Sequence, residues 1–499
     1  MKNKILFLII IIISLFFYTF NLYHTYFFSG DMARDTLASL RILKNKEFTV
    51  IGPPISFGQY GIREVYFSSL TYYMGALGLA LTNFNVLGPV YVNIFLMIFG
   101  LYFLYLFGKD FFKNENKALI MVFLYSLSPP IVAHLRFFWN PNFIISIAPI
   151  FWYFYYRALT RKENFSCLFT GIFAGILFLF HYFVLPIIIF SSFFLIKKLS
   201  FKKVFFLIFG FLIVISPLIF FEIKNHFYLT KAIIFNLTEN AKFNNLYKPI
   251  FSRPLTLKIL DIFQIPVIFI GSQTEATHFY PILNLDYLQT IILGFIIFLI
   301  LIIKNIQQKN NKINIFVYIF IFNALISSLP AHENYYLRYF FISLPILSLI
   351  FTNLMNKKMI FLIMLIFLIT NTRILYSQKA HNDLIKEKDT PYPTIYHMEK
   401  VAQIIEKEKF KIPYNITENF IGDARALYLR FFIERNKNIP KPNDEINYTN
   451  LKTLFVFAPN LEIIKKEGRW EFFATPHLKL TKKYKIDKNK YLFKFEVEE

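Results

Sequence analysis

One cysteine, Cys167, occurs in 499 residues. That excludes an intramolecular disulfide and any multi-cysteine metal site. Acids are scarce too: 31 Asp and Glu stand against 54 Lys and Arg, for a formal net charge of +23. There is no Gly-rich phosphate loop and no dinucleotide fingerprint. No small-residue cleavage site follows the first apolar run, only bulky Phe20, Leu22 and Tyr23, so that run reads as a retained helix and not a signal peptide. Inverted repeats of the transporter kind are absent. Ionisable residues are nearly absent from the middles of the apolar runs, where a transporter or flippase would carry them.

What is present in quantity is apolar surface. Hydrophobic residues make up 56% of the chain, and mean hydropathy is +0.47. Apolar runs recur over the first three quarters, near 5–23, 88–107, 117–134, 142–157, 166–180, 183–197, 203–221, 286–303, 313–330, 338–355 and 359–374. Runs of this length cross a bilayer as helices. A strongly basic chain can signal nucleic acid. Here the lysines sit in short loops between apolar runs, as the positive-inside bias predicts, and no nucleic acid partner is expected.

Those basic loops fix an expected topology. Lys2 and Lys4, and the loops around Lys109, Arg157, Lys197, Lys304 and Lys357, mark the cytoplasmic side. Residues 64–82 are apolar enough to cross, but a crossing there would invert every later basic loop. They are therefore expected to form a juxtamembrane or re-entrant helix on the outer side, after a first one around 31–44. The result is about eleven spans, with the N-terminus inside and the C-terminus outside. His181-Tyr182, followed by Pro186, predicts a tight hairpin.

The expected fold class is an α-helical polytopic membrane protein with a C-terminal extracytoplasmic α/β domain. The expected division is a membrane domain at 1–375, carrying outer loops 24–87 and 222–286, and a soluble domain at 376–499. The soluble part shows amphipathic helices near 396–409 and 423–436 and strand-like runs at 453–458 and 491–497.

On this topology the unusual polar residues all fall on the outer face. Asp31, Arg34 and Asp35 open the first outer loop. His134, Arg136, Trp139, Asn140 and Asn142 follow in HLRFFWNPN. His181 lies in the hairpin, Glu222 in FEIKNH, and His332, Glu333, Tyr335, Tyr336 and Arg338 in HENYYLRY. Acids, bases and aromatics from separated segments on one face suggest an outward catalytic cavity. Each residue also has a plainer reading. Asp31 suits a helix start. His181 suits an interfacial hydrogen bond. Tyr335 and Tyr336 suit an aromatic belt, and Arg136 and Arg338 suit headgroup anchors. Glu222 suits a local pair at a helix end.

The stretch Gly30-Asp31-Met32-Ala33-Arg34-Asp35, just past a basic-flanked helix, resembles the GT-C glycosyltransferases. The likeness is to the bacterial aminoarabinose-transferase and protein O-mannosyltransferase group, and it extends over roughly residues 1–375. That group opens its first outer loop with an Asp-Glu pair and an Arg two residues on. Asp31 matches the first acid and Arg34 the Arg, while Met32 stands at the second acid and Asp35 follows one turn later. The group's Lys-Pro-Pro-Leu signature is replaced by Gly52-Pro53-Pro54-Ile55 and by Tyr66-Phe67-Ser68-Ser69-Leu70, both without the Lys.

The resemblance implies a polyprenyl-phosphate sugar donor, a lipid, glycan or protein acceptor, inversion at the anomeric carbon, no metal or other cofactor, and a place in the bacterial cytoplasmic membrane. Under it, Asp31 and Asp35 are catalytic. Arg34, Arg136 and Arg338 hold the donor phosphate, since guanidinium meets phosphate bidentately. Asn140, His181, Glu222, His332, Tyr335 and Tyr336 contact substrate. The competing expectations are a polysaccharide ligase or polymerase, a lipid flippase, and a non-catalytic envelope scaffold.

Overall fold

The computed structural model describes residues 2–26, 28, 30–54, 65–238, 254–271, 287–307, 311–329, 337–376, 393–420, 426–436, 440, 446–467 and 470–498. His332, Tyr335 and Tyr336 lie outside the described residues. The elements begin with α1 (Lys2–Thr19), α2 (Leu22–Thr25) and α3 (Gly30–Asn45). Then come β1 (Ile51–Pro54), β2 (Tyr66–Ser68), α4 (Leu70–Leu81), α5 (Gly88–Phe112), α6 (Glu115–Ser126) and α7 (Pro129–Leu135). Next are α8 (Asn142–Thr160), α9 (Asn164–Phe180), α10 (Leu185–Ile196), α11 (Phe201–Lys224) and α12 (Tyr228–Thr238). Further helices run over Leu255–Asp261, Ile265–Ile270, Tyr287–Gln307, Asn311–Ser328, Leu344–Leu354 and Lys357–Tyr376. The chain forms two compact units. One comprises Met1–Phe20, Phe48–Thr71 and Val90–Ile374, and the other Asn21–Glu47, Tyr72–Pro89 and Leu375–Glu499.

Every apolar run read as a span is helical. Among the described residues six helices are long and apolar enough to cross a membrane: α1, α5, α11, Leu288–Gln307, Leu337–Leu354 and Lys357–Leu375. The α6–α7 pair, bent by 57°, makes a seventh if it is one span. α9, Tyr182–Ile196 and Lys312–Ser328 are shorter apolar helices.

In the first unit, helices meet through small residues and through polar groups that satisfy broken backbone. A Cβ on Gly171 of α9 would lie 2.0 Å from the Leu207 carbonyl oxygen of α11, and one on Gly210 of α11 would lie 2.3 Å from that of Leu168. Only glycine permits this approach, the usual device where lipid removes any hydrophobic drive between helices. Pro129 and Pro130 break the α6–α7 pair. The freed carbonyls find donors: Tyr18 Oη donates to Ser126 O at 2.6 Å, and Asn371 Nδ2 donates to Leu127 O at 2.9 Å. A broken helix at membrane depth is tolerated when its backbone is satisfied in this way. The break sets the direction of the loop that carries HLRFFWN.

The stretch expected to be helical over 64–82 is helical only from Leu70. Tyr66–Ser68 is instead β2, antiparallel to β1. Gly52 makes the pairing possible, since a Cβ there would fall 2.1 Å from the Ser68 carbonyl oxygen.

The C-terminal region carries a four-stranded sheet in the order β3-β4-β6-β5, with β3 (Tyr414–Glu418), β4 (Thr453–Ala458), β5 (Leu478–Asp487) and β6 (Lys490–Val497). β3 and β4 are parallel, with Tyr414 opposite Thr453; the other pairs are antiparallel. Helices Ile395–Lys407 and Leu427–Arg435 accompany the sheet. Leu454, Val456, Phe493 and Phe495 pack with Tyr448 and Ile464 into its core.

Candidate functional site

Two constellations gather some of the described candidate residues, one in each unit. The first sits at the start of α3. Gly30 turns the chain into the helix at φ +50°, a region an L side chain rarely adopts. The 3.6-residue period then puts Asp31, Arg34 and Asp35 on adjoining positions of one face. Arg34 Nη1 donates to Asp31 Oδ1 at 2.7 Å and Nε to Asp35 Oδ1 at 2.8 Å. The guanidinium also reaches the Tyr72 hydroxyl on α4.

The two carboxylates live in different surroundings. The Asp31 side chain is 47% exposed, and that of Asp35 is 0% exposed. Among the described residues Asp35 Oδ2 has no hydrogen-bond partner. Burial pushes the Asp35 carboxyl up to about 7 although Arg34 opposes the rise. Burial alone would lower the Arg34 guanidinium, but Asp35 and Asp31 outweigh it, so Arg34 is held charged.

The second constellation is an aromatic shelf in the other unit. It joins the loop after α7, the hairpin after α9 and the 3-10 helix Leu337–Ser343. The Arg338 guanidinium lies over the rings of Trp139 and Tyr339, each 5.1 Å from its centroid. The Tyr339 ring is 5.6 Å from His181, and His181 is 4.9 Å from Phe67 of β2. Tyr182 Oη donates to Tyr66 O at 3.1 Å and ties the hairpin to that strand. Three stretches far apart in sequence thus meet around one cation stacked on aromatic faces, an arrangement that desolvation strengthens.

The remaining candidates are placed as follows. Arg136 is buried and donates to the Phe17 carbonyl at 2.7 Å. Asn140 is buried and donates to the Phe180 carbonyl at 3.0 Å. Glu222 accepts from the N–H groups of Leu229 and Thr230, at 2.8 and 2.9 Å, and from the Thr230 hydroxyl, so both its oxygens serve the first turn of α12. Two residues outside the expected set contribute: Tyr339 bridges Arg338 and His181, and Tyr72 joins Arg34. His134 is fully buried against Phe341, and among the described residues its Nε2 has no hydrogen-bond partner. Tyr339 had a legible signal, as the third tyrosine of the YYLRY stretch that supplied Arg338. Tyr72 had none, being one aromatic in an apolar run. Among the described residues no group of three or more metal-ligating side chains gathers.

Residues 69–221 match the family described as dolichyl-phosphate-mannose-protein mannosyltransferase. No curated protein matches the chain in sequence. Among solved structures, the chain is similar to ArnT from Cupriavidus metallidurans in the apo state, with a TM-score of 0.60 at 9% identity over 98% of this chain and 97% of that one. It is also similar to the same protein bound to undecaprenyl phosphate, with a TM-score of 0.55 at 10% identity and the same coverage. The chain thus shares the fold of ArnT from end to end, and over 69–221 its sequence matches the mannosyltransferase family model.

Proposed function

We propose that the protein is an integral-membrane glycosyltransferase that moves a sugar from a polyprenyl-phosphate donor to an acceptor on the outer face of the bacterial cytoplasmic membrane. The observation that carries this reading is the Asp31–Arg34–Asp35 cluster, placed directly after the first span in a chain of ArnT-like fold. Asp31, the exposed carboxylate, is the general base. It takes the proton of the acceptor hydroxyl as that oxygen bonds to the anomeric carbon. The bond from the anomeric carbon to the phosphate oxygen breaks, its electron pair leaves with the phosphate, and the anomeric configuration inverts.

Asp31 is ion-paired to Arg34 before reaction. When Asp31 takes up a proton that pair loses its anionic half, and the Arg34 N–H group is released to meet the charge growing on the leaving phosphate. Asp35, whose other oxygen has no partner, keeps Arg34 in place through Nε. Arg338 on its aromatic shelf is assigned to the donor phosphate and His181 to substrate. Arg136, Asn140 and Glu222 already serve backbone groups, which supports structural roles for them.

The test is transfer of a sugar from a polyprenyl-phosphate donor by the purified protein in lipid. Wild type transferring and Asp31→Asn losing about 10²–10⁴-fold supports the reading. Equal rates from both would reject Asp31 as the base, and no transfer by wild type would instead favour a non-catalytic envelope scaffold.

A further inference from the structure

The helix that begins with Asp31 ends among residues of the C-terminal domain. Arg41 lies one to two turns beyond Asp35 on α3. Its Nε and Nη2 donate to Glu434 Oε2 and Oε1 at 3.0 and 2.8 Å, a bidentate pair. Glu434 is 7% exposed and Arg41 40% exposed. Lys44, one turn later, donates to the Glu434 carbonyl at 3.1 Å and also to that of Arg435. Those are the last carbonyls of helix Leu427–Arg435, at the helix end that attracts cations.

Before α3, Phe28 packs edge-on against Phe431 and Phe432 of the same helix, at 5.6 and 5.9 Å. Tyr23 of α2 donates to Glu399 at 2.6 Å. α3 and its lead-in therefore fold as part of one unit with the C-terminal domain. Ordinary surface pairs contribute little, but a bidentate pair with one buried member fixes distance and direction together.

We infer that Arg41 and Glu434 form a positioning pair through which the C-terminal domain sets the pose of the helix bearing the reactive carboxylate. The inference rests on the proposed glycosyltransferase reading and extends it. The C-terminal domain supplies no reacting group, yet it governs the rate by orienting α3. A helix is stiff over two to three turns, so a shift at Arg41 is carried to Arg34, about two turns away, and to Asp31, about three turns away. Misplacement of a catalytic group by about 1 Å can cost on the order of 10²-fold. Lys44 and Phe28 hold the helix from either side of the pair, so its loss loosens α3 without unfolding it.

The experiment uses the full-length protein in lipid vesicles with a polyprenyl-phosphate sugar donor. Arg41→Glu, Glu434→Arg, the double swap and Asp31→Asn are compared with wild type for kcat and donor KM, with thermal unfolding as a check on folding. The expected result is a fall in kcat on the order of 10–100-fold for each single change. Donor KM stays within about twofold and the double swap recovers most of the rate, the coupling expected of contacting partners. Singles that keep wild-type kcat, or a double swap no faster than the singles while still folded, overturn the inference. The Asp31→Asn arm separates the two claims. No transfer by wild type would sink the enzymatic reading and full activity of Asp31→Asn would sink Asp31 as its base, whereas Asp31→Asn inactivity beside unchanged Arg41 and Glu434 variants would sink only the positioning pair.

Discussion

Asp35 carries the cost of the acidic cluster. It is wholly buried, one oxygen has no partner, and its carboxyl is pushed up from 3.8 to about 7 by burial. A raised acid pKa in the folded state means the native protein binds that proton more tightly than the unfolded chain. The contribution is then favourable below about pH 4 and is lost as pH rises towards 7. Asp35→Asn, which keeps an oxygen for Arg34, should therefore raise the unfolding temperature near pH 7.5 and flatten its decline between pH 5 and about 7, as thermal unfolding in detergent would read. Transfer by Asp35→Asn should fall less than by Asp31→Asn, because only the orientation of Arg34 is disturbed. Arg338→Ala should act differently again. It removes a charged donor stacked on Trp139 and Tyr339, so donor KM should rise about 10–100-fold while kcat changes little. At this scale the sequence showed which residues were unusual but not which were occupied. Arg136 and Glu222 stood out as charges beside apolar runs, and their partners, a backbone carbonyl and the N–H groups of a helix start, are invisible in a residue pattern.

Helices were legible because their signal is long. Each apolar run became a helix, and the acidic motif expected at the head of a helix near 31–44 opens one at Gly30–Asn45. Strands were half legible. β4 is a run of mostly apolar residues and β6 is rich in aromatic and aliphatic residues, and strands were expected there at 453–458 and 491–497. β5 was not, because its sequence, LKLTKKYKID, is lysine-rich and most of its side chains are exposed at the sheet edge. Lysine on an edge strand discourages pairing with another chain and hides the strand from an apolar pattern. β2 was missed because it is three residues long and its apolar composition suits helix and strand alike. α12 offers a test of the plainer reading of one candidate. Glu222 caps its first turn through Leu229 and Thr230, so Glu222→Ala should cost about 1 kcal/mol of stability. Its transfer rate should match wild type; a large loss of kcat in a stable Glu222→Ala protein would restore Glu222 to the substrate site.

The division of the whole molecule was the least legible feature. Composition changes near residue 376, and the last segment of the second compact unit begins at Leu375. Composition gave no hint that Asn21–Glu47 and Tyr72–Pro89 would fold with the C-terminal region, because the first segment is held there by Arg41, Lys44 and Phe28 meeting one short helix near residue 430, and the second packs on α3 through Tyr72 and Ala76. Removal of residues 375–499 should thus abolish transfer in a protein that still inserts and still binds a polyprenyl-phosphate probe through the Arg338 shelf. Intact transfer by that truncation would contradict the assignment of α3 to the C-terminal unit. The account as a whole stands on the proton acceptor at the head of α3. Its most direct test is single-turnover sugar transfer from a polyprenyl-phosphate donor by wild type and Asp31→Asn, both shown to be folded. The account predicts transfer by wild type and a loss of about 10²–10⁴-fold in the variant, and near-equal rates from the two would contradict it.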